Sequence, residues 1–317
     1  MSFVSNLLSK GKNPLYANGM LMGFALVVLL PLYFIDERMI LSVPAWTKPI
    51  KFTISVALYS FTLIWILQIS GLREKYTNRL SWVLTVTSLI EIICIYLQSG
   101  RGIDSHFNIS TPFNGFIFSL MGISIGIFWI AHLLITLHVV RKSKIQPLLR
   151  ESLVWGLGIA AYGMILGFFM TQPNSEQIAE MQKGIFTVSG GHTFGAADGG
   201  KGISFFGWSK IAGDMRVPHF FGMHAMQFFS VLAFIFSIDK YNTNHLNLIS
   251  LRLFGIFYLG TTVTMHLQVL AGESLFASSY KFQTAYLASL TVAVIGLILI
   301  TLNFKRKKEI SKLGEVL

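Results

Sequence analysis

The chain predicts an all-α fold, a polytopic integral membrane helix bundle of about eight transmembrane helices with both termini cytoplasmic. Three observations carry that expectation. Hydrophobic residues make up 53% of the 317 residues and charged ones 12%, against roughly 25% charged in an ordinary soluble domain. Mean hydropathy is +0.62. Eight apolar stretches approach or exceed the roughly 20 residues needed to cross a hydrocarbon core, and polar or basic connections separate them.

The first predicted span, 18–35, follows a polar N-terminus too long for a cleaved signal peptide, so it is read as retained. The second is 51–70. The third, 80–98, carries Glu91, the one acidic residue of the 14 that falls inside a span. The fourth, 113–139, carries His132 and His138, read as structural or interfacial, and the fifth is 152–170. The sixth, 218–238, opens at Pro218, a favoured first-turn residue because it has no N–H to leave unpaired. It takes His219, His224 and Gln227 into the apolar layer. The seventh, 247–270, carries His266, and the eighth is 282–303. These make residues 1–317 a single transmembrane domain with no repeat of fixed period.

Orientation follows from the cations. With the N-terminus inside, 16 of the 25 Lys and Arg residues fall on cytoplasmic connections, as the positive-inside rule requires. The net charge of +11 is therefore topological. Its short clusters do not form a nucleic-acid surface. Cys94 is the only cysteine, so the chain forms no internal disulfide.

Three connections then face outward: 99–112, 171–217 and 271–281. The middle one is a long Gly-rich segment without an obvious helical period, and a connection of that length suggests a lid or binding loop. Its GHTFGAADGGKG lacks the GK[ST] ending and preceding strand of a phosphate-binding loop, which argues against a nucleotide. As a lid it would bring His192 and Asp198 toward the bundle, with backbone N–H groups able to hold an anion. The equally simple reading is a surface loop that uses its glycines for turns.

Glu91 lies about 10 Å below the outer end of its span at 1.5 Å per residue, and His224 and His266 come to similar depths on two other helices. An ionisable residue at that depth is a functional candidate. Thr87, Ser88, Cys94 and Gln98 share the Glu91 face. QSGRGIDSHFN, residues 98–108, follows directly and supplies Arg101, Asp104, His106 and Asn108 above it. The expected catalytic groups are Glu91, Arg101, His106, His192 and Asp214. Expected metal ligands are His224, His266 and Glu91, and expected substrate contacts are Gln98, Asn108, Asp198, Arg216, His219 and Gln227. His219 stands about 140° around the helix from His224, which disfavours a shared metal unless the helix start is distorted. Asp214 and Arg216 also fit a helix cap and a lipid phosphate contact, and each buried His or Glu also fits a hydrogen-bonding strut between helices.

Together QSGRGIDSHFN, TPFN, GHTFGAADGG and GDMRVPHFFGMHAMQ resemble a group of uncharacterised bacterial multi-pass membrane proteins with no assigned activity. The resemblance covers the chain from about Trp46 onward and implies a bacterial cytoplasmic (inner) membrane, without supplying catalytic residues. HExxH is absent, and an HxxxH pair is replaced by His219 and His224 five residues apart.

The expected function is a membrane enzyme acting on a lipid or other amphiphile, with a possible transition metal and with membrane lipids as partners. Three rivals stand beside it: a b-type haem carrier using His224 and His266, a proton- or cation-coupled transporter using Glu91, and a non-catalytic subunit that docks a protein through 171–217.

Overall fold

A computed structural model describes residues 13–141, 145–198, 200, 202–238 and 245–314. Among the described residues ten helices run in order: α1 Pro14–Ile35, α2 Thr47–Ile69, α3 Glu74–Gly100, α4 Pro112–Arg141, α5 Pro147–Met170, α6 Ser175–Gln182, α7 Arg216–Met223, α8 Ala225–Ile238, α9 His245–Leu270 and α10 Tyr280–Gly314. Two small hairpins complete the set, β1 Met39–Ile40 with β2 Val43–Pro44, and β3 Thr193–Phe194 with β4 Gly213–Asp214. The fold is the expected all-α polytopic bundle.

Seven helices, α1 to α5 with α9 and α10, are long and apolar enough to cross a membrane. The expected sixth span differs. It is two consecutive helices, α7 and α8, that meet at His224, whose N–H reaches back to both the Gly222 and Phe220 carbonyls as a tightened last turn does. Its neighbour α5 explains how it packs there. A Cβ on Gly163 would stand 2.4 Å from the Met223 nitrogen, so the two backbones touch where neither helix carries a side chain.

Helices α2, α3, α4, α5 and the α7–α8 pair contact one another in a closed ring. Outside it, α1 packs on α2 and α3, α9 on α5 and α7, and α10 on α9. One half of the ring is solid. Leu63, Leu84, Ile135, Leu157 and Met226 fill its centre, each at most 1% exposed. His132 seals the top of that core: its Nε2–H donates to the Leu157 carbonyl at 3.0 Å, leaving Nδ1 to accept from the Tyr59 hydroxyl at 2.9 Å. It is a structural histidine, as expected. His138 reaches the Ser70 carbonyl at 3.3 Å, also as a strut. Asn18 ties α1 inward through Ser60 and Ser88 at 3.2 and 3.1 Å.

The other half of the ring is covered by the connections 36–46, 101–111, 171–215 and 271–279, which bond to each other. Arg38 donates to the Gly100 carbonyl, Ser189 to Phe107, Ile109 to Thr187 and Gly213 to Gly272, at 2.8–3.0 Å. The long connection is thus a folded cover. Within it α6 starts at a capping box in which the Asn174 and Gln177 side chains serve each other's backbone N–H, and Gln177 also bonds both polar groups of Gly190 at 2.9 Å. Of the basic clusters used for orientation, Lys10, Lys12, Lys142, Lys144 and Lys240 lie outside the described residues.

Candidate functional site

Between the solid core and the cover the ring encloses a cavity of about 580 Å³, within the usual range for ligand sites. Much of its wall is carbon: Phe52 and Val56 from α2, Met121 and Phe128 from α4, Met164 from α5 and Met223 from α7. Tyr59 forms the floor. Ionisable groups share that wall. Lys48 and Lys51 come from α2, Glu91 from α3, Asp104 and His106 from the 101–111 connection, His192 and Asp198 from the cover, and Arg216, His219 and His224 from α7 and its break.

Glu91 and His106 form the central pair. Glu91 Oε1 lies 3.2 Å from His106 Nε2, with the carboxyl side chain 3% exposed and the imidazole 22%. The Ser105 hydroxyl meets His106 Nδ1 at 3.0 Å, which fixes the ring from its other side. Glu91 Oε2 is buried without a hydrogen-bond partner, and so are His224 Nε2 and Gln227 Oε1, all three on residues that line the cavity. Buried polar atoms normally find partners. His224 and Gln227, three residues apart on one face, act on each other, which leaves Glu91 Oε2 as the unpartnered acidic oxygen beside the cavity.

A second imidazole–carboxylate pair comes from the cover. His192 Nδ1 lies 3.5 Å from Asp198 Oδ2, while the His192 and Thr193 amides donate to the same carboxylate at 2.7–3.0 Å. Burial pushes the His192 imidazole below its ordinary value; Asp198 opposes this, and Arg216 and Lys48 reinforce it. For Asp198 burial alone would raise the carboxyl, but the contacts from His192 and Thr193 prevail and hold it well below the usual carboxylate range. Burial likewise raises Asp104, yet the Lys48 ammonium 2.9 Å away outweighs it, with His192 and His106, and holds it at about 2.

His219 points Nδ1–H at the Gly163 carbonyl, 2.7 Å away, so its Nε2 is the basic nitrogen. Arg216, His219, Phe220, Met223, His224 and Gln227 all line the cavity, the broad single face that helical spacing gives, so His219 and His224 share it although five residues apart. His219 lies within electrostatic reach of His106, His192 and His224. Phe107, between the two outer imidazoles, has φ +66°, a strained value for a bulky residue. Its ring centroid lies 5.8 Å from that of His106 and 4.9 Å from that of His192.

Several expected site residues lie elsewhere. His266 is outside the lining; its Nδ1 meets the Tyr162 hydroxyl at 2.7 Å and its ring packs edge-on against Phe169. The expected ligand set of Glu91, His224 and His266 therefore does not share the cavity, and among the described residues no three His, Cys, Asp or Glu side chains are grouped to hold a metal. Depth along a helix had matched these residues; rotation about the helix axis separates them. Arg101 donates to Gln98 and Asn114 at 2.6 and 2.9 Å and lies over the Phe113 ring. Gln98 donates to Asn114 at 3.2 Å, and Asn108 accepts from the Ser110 amide and hydroxyl. Those three form a polar corner that holds the 101–111 connection to α4, outside the cavity. Asp214, also outside it, accepts from the Ser209 amide and from the Arg216 amide and guanidinium at 2.6–3.0 Å, so it shapes the cover rather than meeting a ligand. The remaining candidates, His106, His192, Asp198, Arg216, His219, His224 and Gln227, line the cavity with Glu91.

Lys48 and Lys51 are functional candidates that the sequence reading counted only as outward charges. Their signal was WTKPIK, two lysines three apart at the start of a span and hence on one helix face. No family model, curated protein or solved structure matches the chain, so its functional reading rests on the geometry of this cavity.

Proposed function

We propose that this multi-pass membrane protein is an enzyme that carries out acid–base chemistry on a lipid or other amphiphile inside the helix ring. One observation carries the reading: a cavity whose wall combines phenylalanines and methionines with the buried Glu91–His106 pair and further imidazole and ammonium groups. An amphiphile matches that combination of chemistry. Its polar end would lie among the imidazoles and its chain against the phenylalanines and methionines. Glu91 Oε2 accepts or returns a proton at the substrate, and His106 steadies the charge on Oε1. His219, with Nε2 as its basic nitrogen, is the second proton carrier. The packed core beneath Tyr59 favours a closed-bottom pocket over a transport path, and the separation of His266 from His224 leaves the haem reading without a ligand pair. The charge bias and the resemblance support a bacterial cytoplasmic membrane as the setting.

The test is turnover. Full-length protein in lipid nanodiscs is incubated with bacterial lipid and amphiphile fractions, and products are followed by mass spectrometry. Glu91→Gln is expected to lower the rate of product formation by about 100-fold or more, while Lys281→Gln, outside the cavity lining, leaves the rate unchanged. Equal rates for wild type and Glu91→Gln would end the proposal.

A further inference from the structure

The cations above Glu91 differ in what neutralises them. Lys48 is paired with Asp104 at 2.9 Å and Arg216 with Asp214 at 2.6 Å. For Lys51 the partner is a backbone carbonyl, that of Phe206 at 3.0 Å. An ammonium has three N–H donors. Lys51 also feels two like charges, Arg216 and Lys48, with Asp214 as the one acid acting on it. A half-buried ammonium among cations at the upper wall of a low-dielectric cavity lacks a counter-anion.

The dimensions define what else the ligand carries. From Lys51 to Tyr59 the α2 wall is eight residues, about 12 Å. With C–C bonds of about 1.5 Å projecting about 1.25 Å each along an extended chain, that distance holds about ten carbons. Glu91, His224 and Gln227 line the same cavity, Glu91 with Oε2 unpartnered.

We propose that the cavity selects a single-chain amphiphile with an anionic head group, the anion seated on Lys51 and the alkyl chain running down α2 to Tyr59. This rests on the enzyme reading only in naming the same cavity as the site. A hydroxyl or amine next to the head group meets Glu91 Oε2, which puts the atoms to be deprotonated at the junction of head and chain. Phosphate and carboxylate heads share the chemistry that Lys51 recognises; the chain distinguishes an amphiphile from a free anion.

Native mass spectrometry of full-length protein in nanodiscs tests this with dodecyl phosphate, dodecanol, dodecyltrimethylammonium, butyl phosphate and inorganic phosphate as probes. Dodecyl phosphate is expected to bind about tenfold more tightly than dodecanol or the ammonium, the scale of one charged hydrogen bond. Inorganic and butyl phosphate should compete weakly. Lys51→Gln removes the preference for phosphate over dodecanol while dodecanol binding persists, which shows that the variant is folded. Lys51→Arg restores the preference, and Lys281→Gln leaves it unchanged. Equal binding of all three dodecyl probes, or an unaltered preference in Lys51→Gln, overturns the head-group assignment. Competition by inorganic phosphate as strong as by dodecyl phosphate overturns the amphiphile and makes this a free-anion site. Failure of the enzyme reading is separately visible, as unchanged turnover in Glu91→Gln alongside an intact phosphate preference.

Discussion

Glu91 presents two oxygens to unlike surroundings, Oε1 beside His106 and Oε2 buried without a hydrogen-bond partner, and its helix face could be read directly from spacing. His192 could be located on a loop but not placed in space, because nothing local in GHTFGAADGG aims a side chain. Asp198 places it, by accepting the His192 and Thr193 amides and turning the loop back on itself. The titration of His192 has a consequence for stability. It faces Asp198, Asp104, Arg216 and Lys48, and burial holds its imidazole below the ordinary value. A histidine with a depressed folded pKa contributes stability that is complete above its unfolded value of about 6.5 and is lost as pH falls through the folded pKa. Thermal unfolding in nanodiscs is therefore expected at a higher temperature at about pH 7.5 than at about pH 5, and His192→Gln should narrow that gap. An unchanged gap in the variant would remove His192 as its source.

Among the elements, the α7–α8 segment contributes most side chains to the site. Arg216, His219, Phe220, Met223, His224 and Gln227 fall on one helical face that lines the cavity, beside the close contact of α7 with α5. Gly163 is the hinge of that arrangement: a methyl there meets the Met223 nitrogen at 2.4 Å and the Gly222 carbonyl carbon at 2.5 Å, and the backbone contact that presents the Gly163 carbonyl to His219 is lost. Gly163→Ala should destabilise the protein by about 1–3 kcal/mol through overpacking, measured by thermal or denaturant unfolding in detergent. Gly158→Ala is the control, since a Cβ there meets nothing within 4 Å. Equal stability of the two variants would show that α5 and α7 separate easily. The helix α6 shows a different limit of sequence reading. Asn174 and Gln177 cap its start, but eight residues make only about two turns, too short for a period to stand out in the sequence.

At the scale of the whole molecule, the alternation of spans and basic connections predicts both termini on the cytoplasmic side. A fluorescent protein fused after residue 317 should fluoresce and an alkaline phosphatase fused there should be inactive; the reverse pattern would invert the bundle and place the cover of the cavity on the cytoplasmic face.

The sequence by itself determined the class of the molecule, because crossing hydrocarbon demands long apolar helices whose length and composition are local properties. It also placed Glu91, His219 and His224 near one end of the bundle, since depth along a helix is a matter of counting residues, and His106 and His192 on connections at that end. Tertiary structure decided which of them share a space. The rotation of each helix comes from contacts such as Gly163 against Gly222 and Met223, and those contacts turned His266 toward Tyr162 and out of the cavity. The same packing brought Lys51, distant in the chain, beside Arg216 and the Phe206 carbonyl. Such proximity depends on how five helical segments close into a ring, and no single stretch of the chain encodes it.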